Sequence, residues 1–217
     1  MKEIEKLELK REVMLKLIKA LLDGEELEEI ARIISMDPNL SVKLLKFINS
    51  PFFSLKKEIK SIVQAIAYLG YNNLRDYVFV LLTSSILKGS SREEIKRVLK
   101  FAYLMKELAK RVMPEKAEEA FMVGILEPVK EEVGVDEIKE ILDKAGVSEG
   151  VILGLLSEDS RLGRLKKLAK ELLELCPQLM EGKGAELPGD VGSLGLGEAT
   201  EICILAEDSA RSILSTL

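Results

Sequence analysis

The chain has 217 residues, with 32 Lys and Arg against 37 Asp and Glu, a formal net charge of −5 and no histidine. That length supports one full-sized domain with a buried core, or a domain with a short appendage. The missing imidazole excludes Ser-His-Asp triads, Cys-His nucleophiles and His-ligated zinc, leaving carboxylate, lysine, thiol or hydroxyl chemistry, or binding without chemistry.

Charged residues make up 32% of the chain and apolar residues 47%, the mix of a soluble globular protein. The longest charge-free run, Ser61 to Leu74, is 14 residues, short of the roughly 20 apolar residues of a membrane span. The N-terminus alternates charge where a secretory signal would be apolar, so the expected location is the cytoplasm. Cys176 and Cys203 lie 27 residues apart with no further Cys or His, so neither a disulfide framework nor a zinc site is expected. The acidic balance disfavours nucleic acid as a partner, and pairs such as Lys56-Lys57 and Lys166-Lys167 read as solvated helix surface. The chain holds 23 Lys and 29 Glu but only two Gln and four Asn, a skew found in proteins from thermophiles.

Apolar residues recur at spacings of three and four almost throughout, which predicts an all-α fold. The first helix spans about residues 2–22, closed by Asp23-Gly24, and the second runs from Glu25 to Ser35. Asp37 caps a third from Pro38 to Ile48. The loop Asn49 to Ser54 follows, with two adjacent aromatics. Ser61 and Gln64 form a capping-box pattern for a short apolar helix ending at Gly70, and Asn72 or Asn73 begins the next. Its uncharged stretch Tyr77 to Leu87 predicts a central core helix. Ser91 and Glu94 make a second capping box, for a helix reaching about Val112. A helix from Glu115 carries the AFMVGIL run and should break or kink at Pro128. Shorter helices are expected over Asp136 to Ala145, Ser148 to Leu156 and Arg161 to Leu175, the last closed by Cys176-Pro177. Six of the 15 glycines then fall between Gly182 and Gly197. The expected organisation is therefore a helical domain over 1–177, a Gly-rich linker or loop over 178–197 and a C-terminal helix over 198–217, docked on the domain or packed against another chain.

The segment DPNLSVKLLKFINSP at 37–51, followed by IKSIVQAIAYLG at 59–70 and Leu74-Arg75, resembles the HDOD family, all-helical modules of bacterial signalling proteins related to HD-domain phosphohydrolases. The run Ala120 to Leu126 is similar to the helix that in HD enzymes leads into the metal-binding His-Asp pair, and by register Glu127-Pro128 stand in its place. The resemblance covers about Glu12 to Leu175. DEIKEIL at 136–142 and Gly163-Arg164-Leu165 resemble the version that follows EAL phosphodiesterase-like domains. The chain departs from that version at Glu127 to Lys130, where a serine and a run of leucines are usual. No EAL domain fits in 217 residues, so the module stands alone or is a fragment of something larger.

The resemblance implies a compact HD-like bundle that has lost its metal ligands, because proline offers none and no histidine is present to supply the others. The expected function is a non-catalytic signal-transduction or regulatory module, with no enzyme activity, catalytic residue, metal or cofactor. It would bind a signalling protein partner or a second copy of itself. Candidate binding residues are Asn49, Ser50, Phe52, Phe53 and Glu127. Asn49 and Ser50 read equally as helix cap and turn, and one of the two aromatics would ordinarily be buried. Two other readings stay open. One is a residual carboxylate-metal phosphohydrolase using Glu127, Glu131 or Glu132. The other is a nucleotide-sensing pocket, which would need Arg75, Lys130 or Arg164 close by to offset the glutamates.

Overall fold

The computed structural model describes residues 11–50, 53, 55–86, 91–144, 146–183, 187 and 194–214. All regular structure among them is helical: α1 Arg11–Asp23, α2 Leu27–Ser35, α3 Pro38–Ile48, α4 Ile62–Leu69, α5 Tyr71–Ile86, α6 Arg92–Val112, α7 Ala117–Val133, α8 Val135–Lys144, α9 Glu149–Leu156, α10 Arg161–Met180 and α11 Leu196–Leu214, with a 3-10 turn at Pro114–Lys116. The all-α prediction holds. The first predicted helix is present from Arg11, and its residues 2–10 lie outside the described ones. No helix among the described residues is long and apolar enough to cross a membrane.

The chain divides into two compact units, one comprising residues up to 88 with 140–147, the other 89–139 with 148–214. In the first, Leu17, Ile18 and Leu21 of α1, Ile30 and Ile34 of α2, Leu40 and Leu44 of α3, and Ile66 of α4 are buried. Their spacings of three and four are those of single apolar helix faces. Asp37 accepts hydrogen bonds from the backbone of Asn39 and Leu40, capping α3 as its sequence predicts. Gly70 ends α4 at φ 72°, a conformation open to glycine. One residue later the Tyr71 hydroxyl donates to the carbonyls of Ala20 and Leu21, two of the acceptors that the end of α1 leaves without helical partners. Tyr77 through Leu81 are buried on every side of α5, so this stretch is core as its lack of charge suggests. Tyr77 stacks on Phe47 at 4.0 Å and donates to Lys43 O at 3.0 Å.

The second unit is built on α6, which packs against α7, α10 and α11. Its N-terminus has the full capping box, with Ser91 and Glu94 each accepting from the other's backbone. At the crossing with α7, a Cβ added to Gly124 would lie 2.7 Å from Ala102 Cα, so the absent side chain lets two backbones meet. Gly124→Ala is expected to force the helices apart and lose about 1–3 kcal/mol, measurable by chemical denaturation; an unchanged midpoint would contradict the close crossing.

Two helices run past a proline, so no break occurs where a break or kink was expected at Pro128, and the stop expected at Cys176-Pro177 is not made. α7 continues through Pro128 to Val133, and α10 continues through Pro177 to Met180. Each proline removes one backbone donor, but Val129 beyond the first and Leu179 beyond the second are buried, and that packing extends the helix past the lost bond. Little of the Gly-rich stretch falls among the described residues.

The C-terminal helix docks within its own chain. Ala199, Ile202, Cys203, Ala206 and Ala210 of α11 are buried, and the helix packs on α6 and α10. A disulfide joins Cys176 of α10 to Cys203 of α11, correcting the expectation that none would form. Sequence spacing carries no sign of it, because the pairing depends on α11 folding back until the two Cα atoms are 5.4 Å apart.

α11 is also held by charge. Buried Glu207 accepts from Lys96 at 2.7 Å, Lys100 at 3.2 Å and Arg211 at 2.8 Å. Burial alone would raise its carboxyl, but the hydrogen bonds from Lys96 and Lys100 outweigh it and hold the group down at about 2. A carboxylate depressed in the folded state adds stability that is complete above its ordinary value of 4.5 and is lost as pH falls toward 2. Glu207→Gln is therefore expected to flatten the fall of stability between those limits, read from denaturation midpoints across that pH window. A slope equal to that of the unaltered protein would show that Glu207 is not the group responsible.

Candidate functional site

Glu127 is 5% exposed, and three lysines converge on it. Its Oε1 accepts from Lys170 at 2.8 Å, while Oε2 accepts from Lys130 and Lys166, each at 3.0 Å. α7 supplies Glu127 and Lys130 one turn apart, and α10 supplies Lys166 and Lys170 at the same kind of spacing. α9 adds the carbonyl of Leu155, which accepts from Lys166 at 2.8 Å and more weakly from Lys130 at 3.5 Å. That carbonyl lies in the last turn of α9, where it has no helical partner and carries the negative end of the helix dipole, so cations are its natural complement.

Two glycines bring these elements together. A Cβ on Gly154 would fall 2.7 Å from Leu162 Cβ and 2.9 Å from Val123 Cγ2, which places α9 tight against both α7 and α10. A Cβ on Gly163 would overlap the carbonyl oxygen of Ser157, so the start of α10 sits directly on the turn that leaves α9. Ser160 caps α10 by accepting from Gly163 N at 2.9 Å. The register so fixed puts Lys166 beneath Leu155.

The site has one carboxylate and three ammonium groups. Burial pushes the Glu127 carboxyl up, yet hydrogen bonds from Lys170, Lys166 and Lys130 dominate and leave it below the ordinary carboxylate range. Burial pushes Lys166 down, opposed by its bond to Glu127 and assisted by repulsion from Lys130 and Lys170. Lys166 is 5% exposed, which corrects its reading as solvated surface, while Lys167 beside it is exposed as expected. A signal was available: Lys166 stands four residues after Leu162 and three before Ala169, on the buried stripe of α10.

Of the other candidates, Asn49 closes its own loop. Its Nδ2 donates to Leu45 O and Ile59 O at 2.9 and 2.7 Å, and its Oδ1 accepts from Ile59 N at 2.7 Å. Ser50 has a buried hydroxyl with no hydrogen-bond partner among the described residues. Phe52 lies outside the described residues. Phe53 is half-buried, edge-on to Phe47 at 5.0 Å and to Tyr68 at 6.0 Å. The loop and Glu127 belong to different units, so they form two separate candidates. Among residues considered for a nucleotide pocket, Lys130 is at Glu127, Arg164 is exposed and donates to Asp159 O, and Arg75 lies beside Asp76 in the other unit. Glu131 is exposed, and among the described residues no three His, Cys, Asp or Glu side chains gather as a metal site would require.

Next to Phe53, α4 presents Val63, Ala67 and Tyr68 to solvent, with Val63 and Tyr68 about half exposed. This face comes from the charge-free run 61–74, and sequence reasoning did not single it out. Its signal was the run itself, since a charge-free stretch longer than one buried face needs must leave uncharged residues outside.

Comparison with known proteins bears on fold and family. A solved structure from Shewanella amazonensis SB2B, provisionally named a phosphohydrolase, superposes with a TM-score of 0.73 over 98% of this chain and 95% of its own, at 17% sequence identity. A likeness at that identity speaks to the fold alone, which is HD-like. Among curated proteins, cyclic di-GMP phosphodiesterase CdgJ of Vibrio cholerae is 27% identical over 158 residues, 72% of this chain and 35% of its own. YuxH of Bacillus subtilis, a protein without an assigned function, is 26% identical over 147 residues, 66% of this chain and 36% of its own. The chain thus spans about a third of the length of these relatives. The family model for the HDOD domain matches residues 9–143, taking in the capped α3, the loop after it, the uncharged α4 and the helix that carries Glu127. With well over half its length matched, the chain belongs to the HDOD domain family.

Proposed function

We propose that this HDOD domain is a non-catalytic regulatory module of signal transduction that acts by binding a protein partner. One observation carries the reading: Glu127, standing where the register puts the metal-binding pair of HD enzymes, is buried and saturated by three ammonium groups. A carboxylate so engaged would have to shed its lysines before it could ligate a cation. Carboxylate-metal hydrolysis is thereby disfavoured, and the scaffold is left to bind. The uncharged face of α4, with Phe53 beside it, is the surface best suited to a partner, because aromatic and aliphatic side chains are desolvated at little cost.

The test has two arms. Incubation with nucleotides and cyclic dinucleotides in Mg²⁺ or Mn²⁺ is expected to give no turnover above blank, and turnover abolished by Glu127→Ala would refute the non-catalytic reading. Co-purification from source cells is expected to recover a specific signalling protein, or a second copy of the chain, and Tyr68→Glu is expected to lower recovery at least tenfold. Recovery unaffected by that substitution would remove α4 from the interface. A cytoplasmic location is compatible with the disulfide if the Lys and Glu skew marks a hyperthermophile, whose intracellular proteins are rich in such bonds.

A further inference from the structure

The cluster at Glu127 holds more positive charge than its carboxylate can neutralise. Lys166 gives two hydrogen bonds, to Glu127 and to Leu155 O; Lys130 gives one of 3.0 Å and a long one of 3.5 Å; Lys170 gives one. Each ammonium has three N–H donors, so several are left over, and Glu127 is the only carboxylate that these three lysines reach among the described residues. The surplus donors can meet an incoming group, because the Lys170 side chain is 52% exposed and that of Lys130 is 20% exposed. Although half exposed, Lys170 places its ammonium on Glu127, where it joins two like charges.

The surroundings deepen this field. From Arg161 to Lys170, α10 has five basic residues and no acidic one, in a protein whose net charge is −5. Its first turn contains Arg161 and Arg164, whereas a helix N-terminus is stabilised by acids. Glu158 and Asp159, exposed just before the helix, and Glu115, which pairs with Arg161 at 3.6 Å, reduce the positive charge without cancelling it. The other carboxylate ringed by cations, Glu207, differs in where the acids fall: α6, which supplies two of its three partners, opens with Glu93 and Glu94, whereas on α10 the acids Glu171 and Glu174 come only after the basic run. An excess charge of about two, with more N–H donors than the cluster has acceptors, matches a dianionic phosphate.

We infer that Lys130, Lys166 and Lys170 form an anion site for the phosphate group of a small phosphate monoester, with Glu127 as the internal counter-charge that holds the three ammonium groups together. The site lies in the second unit, and the proposed protein-binding face lies in the first. The ligand is held, and no bond is made or broken.

Calorimetric titration of the full chain with inorganic phosphate, at fixed ionic strength and against chloride, tests it. Saturable one-to-one binding is expected. Lys170→Met should weaken it at least tenfold, and Lys100→Met, at the Glu207 cluster, should not alter it. Affinity for a nucleoside monophosphate should also fall several-fold from pH 7.5 to 5.5, as its monoester phosphate passes below a second pKa of about 6 and loses a charge. A nucleoside monophosphate binding more tightly than inorganic phosphate would identify a nucleotide source, and equal binding would identify recognition of the phosphate group alone; both support the site. No saturable binding of either probe, or Lys170→Met binding as the unaltered protein does, would overturn it. Release of phosphate from the nucleotide would count against the non-catalytic reading and leave the site standing, so the two can fail separately.

Discussion

Glu127→Ala is expected to destabilise the protein by about 3–5 kcal/mol, the range for breaking a buried ion pair by removing one partner. The loss comes less from the missing bonds than from what remains, three ammonium groups with no carboxylate, of which Lys166 is 5% exposed and keeps only the Leu155 carbonyl as a partner. Two further variants separate this cause from a simple cavity. Lys166→Met alone removes one of three cations and leaves Glu127 with Lys130 and Lys170, so it should be nearly neutral. Adding Lys166→Met to Glu127→Ala should restore a large part of the loss, because the stranded buried charge is gone. Stability also gains a pH dependence of known sign. Burial already depresses Lys166, and without Glu127 the carboxylate that opposes that effect is gone. A lysine depressed in the folded state binds fewer protons folded than unfolded, so Glu127→Ala should recover stability as pH rises toward the ordinary lysine value of 10.5. Denaturation midpoints at pH 7 and pH 10 measure it. A loss that persists at both pH values and is not relieved by Lys166→Met would mean that Glu127 acts through packing and not through charge.

That asymmetry between removing the carboxylate and removing a lysine also bears on what the sequence could reveal. Features set by a few neighbouring residues were legible: the Asp37 cap before Pro38, the reciprocal pair of Ser91 and Glu94, the glycine stop at Gly70, and the central burial of the uncharged Tyr77 to Leu81. Each is decided within a turn or two of the chain. Features decided by packing were misread or missed. Pro128 and Pro177 obey the local rule by removing a donor, yet helices α7 and α10 continue because buried residues lie beyond each proline. Glu127 was singled out through the family register, but its partners were only partly foreseen. Lys130 was named for a nucleotide pocket, while Lys166 and Lys170 come from a helix roughly forty positions away. Three of the buried charges nevertheless share one sequence mark. Lys106 follows Ala102, Lys166 follows Leu162 and Glu207 follows Cys203, each by four positions on a buried stripe. A charged residue on an apolar stripe demands a partner across the helix interface, which the sequence can signal without saying who the partner is.

The disulfide is the clearest case of a tertiary feature with no local mark, and its removal is the second large effect expected. Cys176 and Cys203 are fully buried and close a loop of 27 residues that contains the glycine-rich stretch. In the chain-entropy account, a cross-link over that length stabilises the fold by about 3.5 kcal/mol, chiefly by restricting the unfolded chain. Glycine-rich segments have the most conformational freedom to lose, so the constraint acts where the unfolded ensemble is broadest. The double substitution Cys176→Ala with Cys203→Ala is the suitable probe, since alanine introduces no unsatisfied buried hydroxyl as serine would. It should lower stability by about that amount, and thermal unfolding should move down by about 7–14 °C. α11 should not detach, because Ala199, Ile202, Ala206 and Ala210 remain packed and Glu207 keeps Lys96 and Lys100. Native-state hydrogen exchange should therefore show α11 protected but opening more often, while α1 to α5, in the other unit, exchange as before. If the substituted protein unfolds at the same temperature as the oxidised one, the non-covalent contacts alone fix α11 and the bond merely records their proximity. If α11 loses all protection, the opposite holds, and the apolar face of this helix is too weak to hold it without the covalent tie.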